Sequence, residues 1–248
     1  MTDRRLLVVR GNREFLLAPG ETLETDLGIL ELPDRVEPGS TVETHLGEAF
    51  EVRRLRGTDL FDHLERTGAP MMPRDVGLVV GHTGLAAGDR VLDAGTGTGV
   101  LAAYLGRLGA RVTTFERDPE FAEVARDNMA LAGVTDRVEV RTGDLLEELS
   151  ALDDTFDVVT LDTADAAAVV GQAPDILQAG GYVATYTPFV ESARECVEAA
   201  RDAGLSAVTC LETIQREMDV DDRGSRPSTA GVGHTGYLTF ARFTPRLE

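Results

Sequence analysis

Three glycines at alternate positions, Gly95, Gly97 and Gly99, close an apolar run in VLDAGTGTGVL (residues 91–101), and an acidic residue, Glu116, ends the next such run in TTFERDPEF. Glycines so spaced let a backbone turn sharply and approach a ligand without side-chain obstruction. Val100, Leu101, Tyr104, Leu105 and Leu108 then repeat at helical spacing. Free N–H groups and the positive end of a helix dipole therefore face whatever sits over the glycines, and an anionic group belongs there. The dinucleotide fingerprint GxGxxG needs a glycine where Val100 stands, so the match to that pattern is imperfect. Glu116, about 20 positions past the first glycine, can grip ribose hydroxyls in an NAD site or an S-adenosylmethionine site. Asp144 follows a third strand, Val138 to Arg141, and Asp162 ends a fourth, Phe156 to Leu161. Ligands in doubly wound sheets collect at those strand ends, and the downstream carboxylates tip the balance toward S-adenosylmethionine. The bland alternative is an ordinary strand–turn–helix with acidic loop ends.

The elements that position these groups begin with a small β module. Residues 1 to about 57 read as short strands, RLLVVR, REFLLA, TVETH and AFEVRRL, around a turn-rich middle with Gly28, Pro33, Pro38 and Gly39. Gly11-Asn12 and Gly47-Glu48 are hairpin turns by composition. Residues 58–84 read as linker helices, Asp59 to Glu65 and Pro73 to Thr83, the second turning Val76, Val79 and Val80 inward. Residues 85–248 alternate strand and helix, which argues for an α/β domain with a mostly parallel sheet covered on both sides. In the best-marked helix Asp118 is the N-cap, Pro119 the first helical residue, Phe121, Ala125, Met129 and Ala132 the inner stripe, and Gly133 the stop. Strands follow from Tyr182, Leu205 and Gly236, with a helix over Val190 to Ala203. The polar segment from Glu217 to Gly233 is too long for a simple connector, and such loops serve binding or are mobile.

Composition bounds the setting. The chain has 248 residues, 24 basic, all of them arginine, against 43 acidic, for a formal charge of -19. Such acidity suits a cytoplasm at very high salt, where screening removes carboxylate repulsion, and points to a halophile; an acidic protein from a GC-rich genome is the alternative. Cys196 and Cys210 lack metal-ligand spacing and read as inert thiols. His45, His63, His82 and His234 are scattered, so no metal site is expected. No run of 18 apolar residues exists and the amino terminus lacks a leader's apolar core, so the expectation is a cytoplasmic protein with no membrane partner.

With the glycine cradle, Glu116, Asp144, Asp162, GGYVATYTP and VGHTGYLTFAR in view, the chain resembles the TrmI-type tRNA (adenine-N(1))-methyltransferases, within the class I S-adenosylmethionine-dependent methyltransferases. The resemblance covers nearly the whole chain: TDLGILELPDRVEPGSTVETHLGEAFEVRR is similar to that family's amino-terminal β domain, and APMMPRDVGLVV to its lead-in helix. GHTGYLTFAR is the most specific piece. The resemblance implies a Rossmann-like, mostly parallel seven-stranded sheet with an antiparallel last strand. It implies an archaeal enzyme, usually tetrameric, that moves a methyl group from S-adenosylmethionine to nitrogen 1 of a T-loop adenine, position 57 or 58 in tRNA. By the same resemblance Gly95, Thr96, Gly97, Thr98, Gly99, Val100 and Leu101 wrap the methionine end, Glu116 grips the ribose, and Asp144 with Leu145 receives the cofactor's adenine. Asp162 is the implied catalytic carboxylate, also in contact with the cofactor, orienting the exocyclic amine and stabilising the developing positive charge. Its alternative is a cap on the helix beginning near Ala166.

One departure matters. Where the family commonly has prolines and an aromatic after this aspartate, the chain reads Asp162-Thr-Ala-Asp165-Ala-Ala-Ala, without rigid apolar walls. Tyr186 is a replacement stacking face for a flipped adenine or a core tyrosine at a strand end. Asp165 is a second acidic contact or a helix N-terminal charge. Contact with tRNA at high salt must be short-range, which suits arginine forks. Arg53, Arg54 and Arg56 on the module and Arg223 and Arg226 in the late loop are candidates, with Arg4, Arg5, Arg10 and Arg13 behind them; each could equally balance acidic neighbours. Two rival readings remain: methylation of a protein carboxylate or small metabolite, and a non-catalytic tRNA-binding paralogue.

Overall fold

The computed structural model describes residues 5–231 and 233–245. The amino-terminal part is a four-stranded antiparallel sheet, in order β2 (Arg13–Leu17), β1 (Leu6–Arg10), β6 (Ala49–Arg54), β5 (Thr41–Glu43). β1 is an unbroken apolar run because it is buried on both faces. Leu6 and Val8 join a module core with Leu30, Phe50 and Val52, while Leu7 and Val9 pack with Leu55, Leu60 and the helix that follows the glycine loop. The turn-rich middle is a correction: it carries a hairpin, β3 (Thr22–Thr25) and β4 (Gly28–Glu31), paired Leu23 to Leu30. Strands of four residues with only one or two apolar side chains leave little periodicity to read.

Two helices lead onward, α1 (Gly57–His63), placed two residues earlier than expected, and α2 (Pro73–Thr83). A seven-stranded sheet follows, in order β12 (Ser206–Glu212), β15 (Tyr237–Arg242), β11 (Leu177–Thr187), β10 (Phe156–Leu161), β7 (Arg90–Ala94), β8 (Arg111–Glu116), β9 (Val138–Thr142). β9, β8, β7, β10 and β11 run parallel, and β15 is antiparallel to both neighbours. Helices α3 (Val100–Leu108), α4 (Pro119–Ala132), the short α5 (Leu145–Glu148), α6 (Ala166–Gly171) and α7 (Ala173–Ile176), and α8 (Val190–Asp202) connect them. The central strands are apolar on both faces because both are covered: Val91, Val112 and Val158 face one core, Leu92, Val159 and Leu161 the other. Truncating a fully buried leucine such as Leu92 or Leu105 to alanine costs roughly 2–5 kcal/mol in such packing.

The Glu217–Gly233 segment contains a second hairpin, β13 (Met218–Asp221) with β14 (Gly224–Pro227). Among the described residues no helix is long and apolar enough to cross a membrane. Cys196 is buried, Cys210 is exposed, and both are free thiols.

Candidate active site

The glycine loop is shaped by what crowds it. Asp162 N–H donates to the Ala94 carbonyl at 2.8 Å, which brings the ends of β7 and β10 together, and a Cβ on Gly95 would lie 1.9 Å from the Asp162 carbonyl oxygen. Gly99, at φ +82°, starts α3; a Cβ there would meet the Met129 methyl at 2.4 Å, so glycine permits α3 and α4 to close up. Thr96 and Thr98 turn inward. Thr96 shares a hydroxyl contact with Thr114, and Thr98 accepts from the Thr67 amide at 3.3 Å. These two threonines therefore present backbone to the cleft. Val100 and Leu101 are buried beneath it. Asn128, fully buried on α4, donates to Thr98 O and Glu65 O, both at 2.8 Å, and accepts from Glu65 N–H.

The carboxylates stand at the strand ends as the parallel topology dictates. Glu116 accepts from Gly97 N–H at 2.8 Å and from Asp118 N–H at 3.1 Å. Asp144 caps α5 through Leu146 N–H. Arg117 bridges Asp144 at 3.2 Å and Asp165 at 2.9 Å, tying three loops at the cleft mouth. Under it lies a cleft of about 330 Å³ walled by Glu116, Phe121, Asp144, Leu145 and Thr163, with Gly95, Gly97 and Asp162 at its inner end. A smaller cleft of about 50 Å³ runs from the same Gly95, Gly97 and Asp162 along residues 98–101 toward Ala69, Pro70 and Met71. Asp162 lies on both. Phe121 corrects the expected inner stripe of α4: it is 38% exposed and forms cleft wall, because the first turn of α4 adjoins Glu116 and Arg117 at the cleft, while Ala122 and Ala125 take the inner positions.

Asp162 does not cap α6, whose N-cap is Asp165. Its side chain is exposed to the clefts, and partial desolvation by their walls pushes its pKa up to about 7, with Asp93 adding repulsion. Asp93 is buried and accepts from Thr114 and Thr160 hydroxyls; burial pushes its carboxyl up too. Leu161 pairs with Thr185 in parallel register, so Tyr186 follows on β11 directly beside Asp162. Burial raises the Tyr186 phenol, and Asp162 and Asp75 act in the same direction. Asp93, Arg117, Asp75 and Thr235 were not singled out from sequence. Asp93 precedes the glycines in the same motif and could have been; the other three gain meaning only from residues far away in the chain.

Arg53, Arg54, Arg56, Arg223 and Arg226 are exposed and lie outside both clefts. Arg53 pairs with Glu51 at 2.9 Å, Arg223 with Asp221 at 3.2 Å and Arg226 with Asp219 at 3.4 Å across its hairpin. Arg54 ends β6, and Arg56 flanks α1, its amide bonded to Asp59. Arg5, Arg10 and Arg13 pair with Glu21, Glu48 and Asp26; Arg4 lies outside the described residues. Among the described residues no three His, Cys, Asp or Glu side chains are grouped to hold a metal ion.

Comparison with known proteins agrees with this geometry. The family model of the tRNA methyltransferase complex GCD14 subunit matches residues 63–225. The chain is 33% identical, over 95% of its length and 93% of the relative's, to the tRNA (adenine(57)-N(1)/adenine(58)-N(1))-methyltransferase TrmI of Methanocaldococcus jannaschii. Among solved structures, a SAM-dependent O-methyltransferase from Thermotoga maritima superposes with a TM-score of 0.80 at 26% identity, covering 100% of this chain and 96% of that one. The tRNA (m1A58) methyltransferase TrmI from Aquifex aeolicus superposes with a TM-score of 0.72 at 22% identity, covering 97% and 96%, a likeness of fold.

Proposed function

The chain belongs to the family of the tRNA methyltransferase complex GCD14 subunit, and from that premise we propose that it transfers a methyl group from S-adenosylmethionine to nitrogen 1 of a T-loop adenine, position 57 or 58, in tRNA. The observation that carries this reading is the position of Asp162, at the junction of a roomy acidic cleft and a narrow one.

The chemistry of the cleft fits this donor better than a dinucleotide. Glu116, Asp144, Asp162 and Asp165 put four carboxylates around it, and the arginine among them, Arg117, is already engaged by two of these acids. A pyrophosphate would be repelled; ribose hydroxyls, an adenine amine and a sulfonium are attracted. Glu116 is the residue for the ribose, Asp144 and Leu145 for the adenine, and the backbone from Gly95 to Leu101, at the start of α3, for the amino-acid end. When bound, the donor supplies an electrophilic methyl carbon on positively charged sulfur.

Asp162 does the rest of the work assigned to a side chain. Ring nitrogen 1 of adenine attacks with its own lone pair, so no base is required beforehand. As the new bond forms, the ring turns cationic and its exocyclic amine becomes a stronger hydrogen-bond donor. A carboxylate at Asp162 can accept that bond and offset the charge in a partly desolvated place, where such an interaction counts for more than in water. Positive charge in the clefts favours the ionised form of Asp162 against the partial desolvation that raises its pKa. Tyr186, on the adjacent strand, is the proposed face for the base, and the exposed arginines of the module and the β13–β14 hairpin are the proposed contacts with tRNA phosphates.

The charge of -19 without a lysine supports an archaeal, halophilic source and a salt-rich cytoplasm. The family resemblance suggests a homotetramer, and exposed Phe189, Ile214 and Val220 are apolar surface that a subunit contact would cover. One observation favours a second acceptor class: the likeness to the Thermotoga maritima O-methyltransferase. Incubating the protein with methyl-labelled donor and unmodified tRNA in potassium-rich buffer, then digesting to nucleosides, decides between them. The label is expected in 1-methyladenosine; label on protein or on a small carboxylate overturns the assignment.

A further inference from the structure

Thr235 is 160 residues from Asp75 in the chain, yet its hydroxyl donates to Asp75 Oδ2 at 3.0 Å. The Thr235 hydroxyl oxygen itself accepts from Arg74 Nη2 at 3.0 Å, and Gly236, next in the chain, lies against the ring carbon that carries the Tyr186 hydroxyl, so Thr235 stands beside that phenol. A hydroxyl has one proton to give. With that proton on Asp75, the Thr235 oxygen has only lone pairs left to offer the neighbouring phenol, so the position of the Asp75 carboxylate sets what the Tyr186 hydroxyl meets there. Asp75 is 2% exposed, at the first turn of α2. Its neighbours on the turn before β15 fix Thr235 in turn. His234 Nδ1 bonds Glu212 at 2.8 Å and Nε2 bonds the Pro188 carbonyl at 3.1 Å, while Gly236 lies so close under the Tyr186 ring that a Cβ would fall 2.6 Å from its Cζ.

We propose that Asp75 and Thr235 are positioning residues for Tyr186, holding its ring and hydroxyl beside Asp162 so that the acceptor base is presented to the carboxylate in one orientation. This rests on the methyl-transfer reading of the site and adds to it the residues that set the geometry of the acceptor side. It also accounts for the run His234-Thr235-Gly236 as a unit: one residue anchors the turn, one directs the phenol, and one leaves room for the ring. Thr235 and the carboxylate that holds it arrive from the turn before β15 and from α2, so the orientation depends on the packing of α2 over β11 and β15 rather than on the cleft.

The test is a cycle of Thr235→Val, Thr235→Ser, Asp75→Asn and Tyr186→Phe. Thr235→Val is expected to lower kcat about tenfold while donor affinity stays within about twofold, and Thr235→Ser to restore it. In a Tyr186→Phe background Thr235→Val is expected to change kcat less than about twofold, because the group it directs is gone. Additive losses, or a serine variant as slow as the valine one, overturn the proposal. A second readout needs no turnover: the Tyr186 ring resonances, assigned by difference with Tyr186→Phe, are expected to move in Asp75→Asn, which does not bond the phenol itself. Unmoved resonances overturn the positioning role even if tRNA is methylated. A wild-type enzyme that leaves tRNA unmethylated, with those resonances moving, overturns instead the tRNA reading and leaves the Asp75–Thr235–Tyr186 geometry standing.

Discussion

The Asp162 carbonyl oxygen occupies the space where a side chain on residue 95 would begin, 1.9 Å from an ideal Cβ. Gly95 also sits at φ +85°, in the left-handed region. Gly95→Ala therefore must push Asp162 aside as well as strain its own backbone, a cost of about 1–3 kcal/mol for the strain alone. Calorimetry with the donor is expected to show binding lost, and Gly97→Ala, whose Cβ meets nothing closer than 3.9 Å, a smaller loss. Equal behaviour of the two variants would contradict the packing argument.

Asp162→Asn separates chemistry from binding. The neutral amide cannot offset a cationic ring, so kcat is expected to fall by about a hundredfold or more with donor affinity largely kept. The wild-type kcat/KM is expected to rise with pH through about 7 as the carboxyl of the free enzyme ionises. Stability runs the other way. A carboxyl that binds its proton more tightly folded than unfolded, from 3.8 up to about 7, loses stability over that interval as pH rises. Melting curves should thus place the asparagine variant above wild type, with a gap that widens from pH 4 to 7 and then holds.

Phe121→Ala tests the cleft wall. A core phenylalanine would cost roughly 3–5 kcal/mol on truncation. Phe121, exposed along the larger cleft, is expected to leave the melting temperature nearly unchanged while donor binding weakens about three- to tenfold. A large drop in melting temperature would return it to the interior of α4.

Glu116→Gln removes the charge from a carboxylate that accepts two backbone amides, those of Gly97 and Asp118. Hydrogen bonds to charged groups contribute about 1.5–3 kcal/mol, so titration with the donor is expected to show affinity falling tenfold to about a hundredfold. Unchanged affinity would remove Glu116 from the site.

Salt is the last lever. At about 1 M the Debye length is ~3 Å, short enough to silence repulsion among 43 acidic residues. Thermal melts are expected to shift upward from dilute buffer to molar potassium chloride; a melting temperature indifferent to salt would argue for an acidic protein of ordinary habitat.

Much of this was legible in the chain. α2 and β10 begin and end where Pro73, Gly84 and Asp162 punctuate them, and Asp118 caps α4 as its type and place require. Elements with strong punctuation and long periodicity read well. The β3–β4 hairpin did not, because its alternation spans too few residues. Phe121 looked like core because spacing along a helix cannot say which of its turns borders a cleft. The partnership of Asp75 with Thr235 had no local signature at all, since it exists only once α2 lies against β15. Asp93 was hidden differently: its meaning depends on Thr114 and Thr160, each on a flanking strand, in register with it.

Asn128 touches neither cleft, but its carboxamide is spoken for on every side by Glu65 and Thr98. One wall of the narrow cleft descends from the segment after Glu65 and the opposite wall from the loop around Thr98. A single buried amide is thus a shared hinge-pin for both. Damage at position 128 would slacken the two sides together, so a distant lesion there would mimic simultaneous injury to the grip on donor and acceptor.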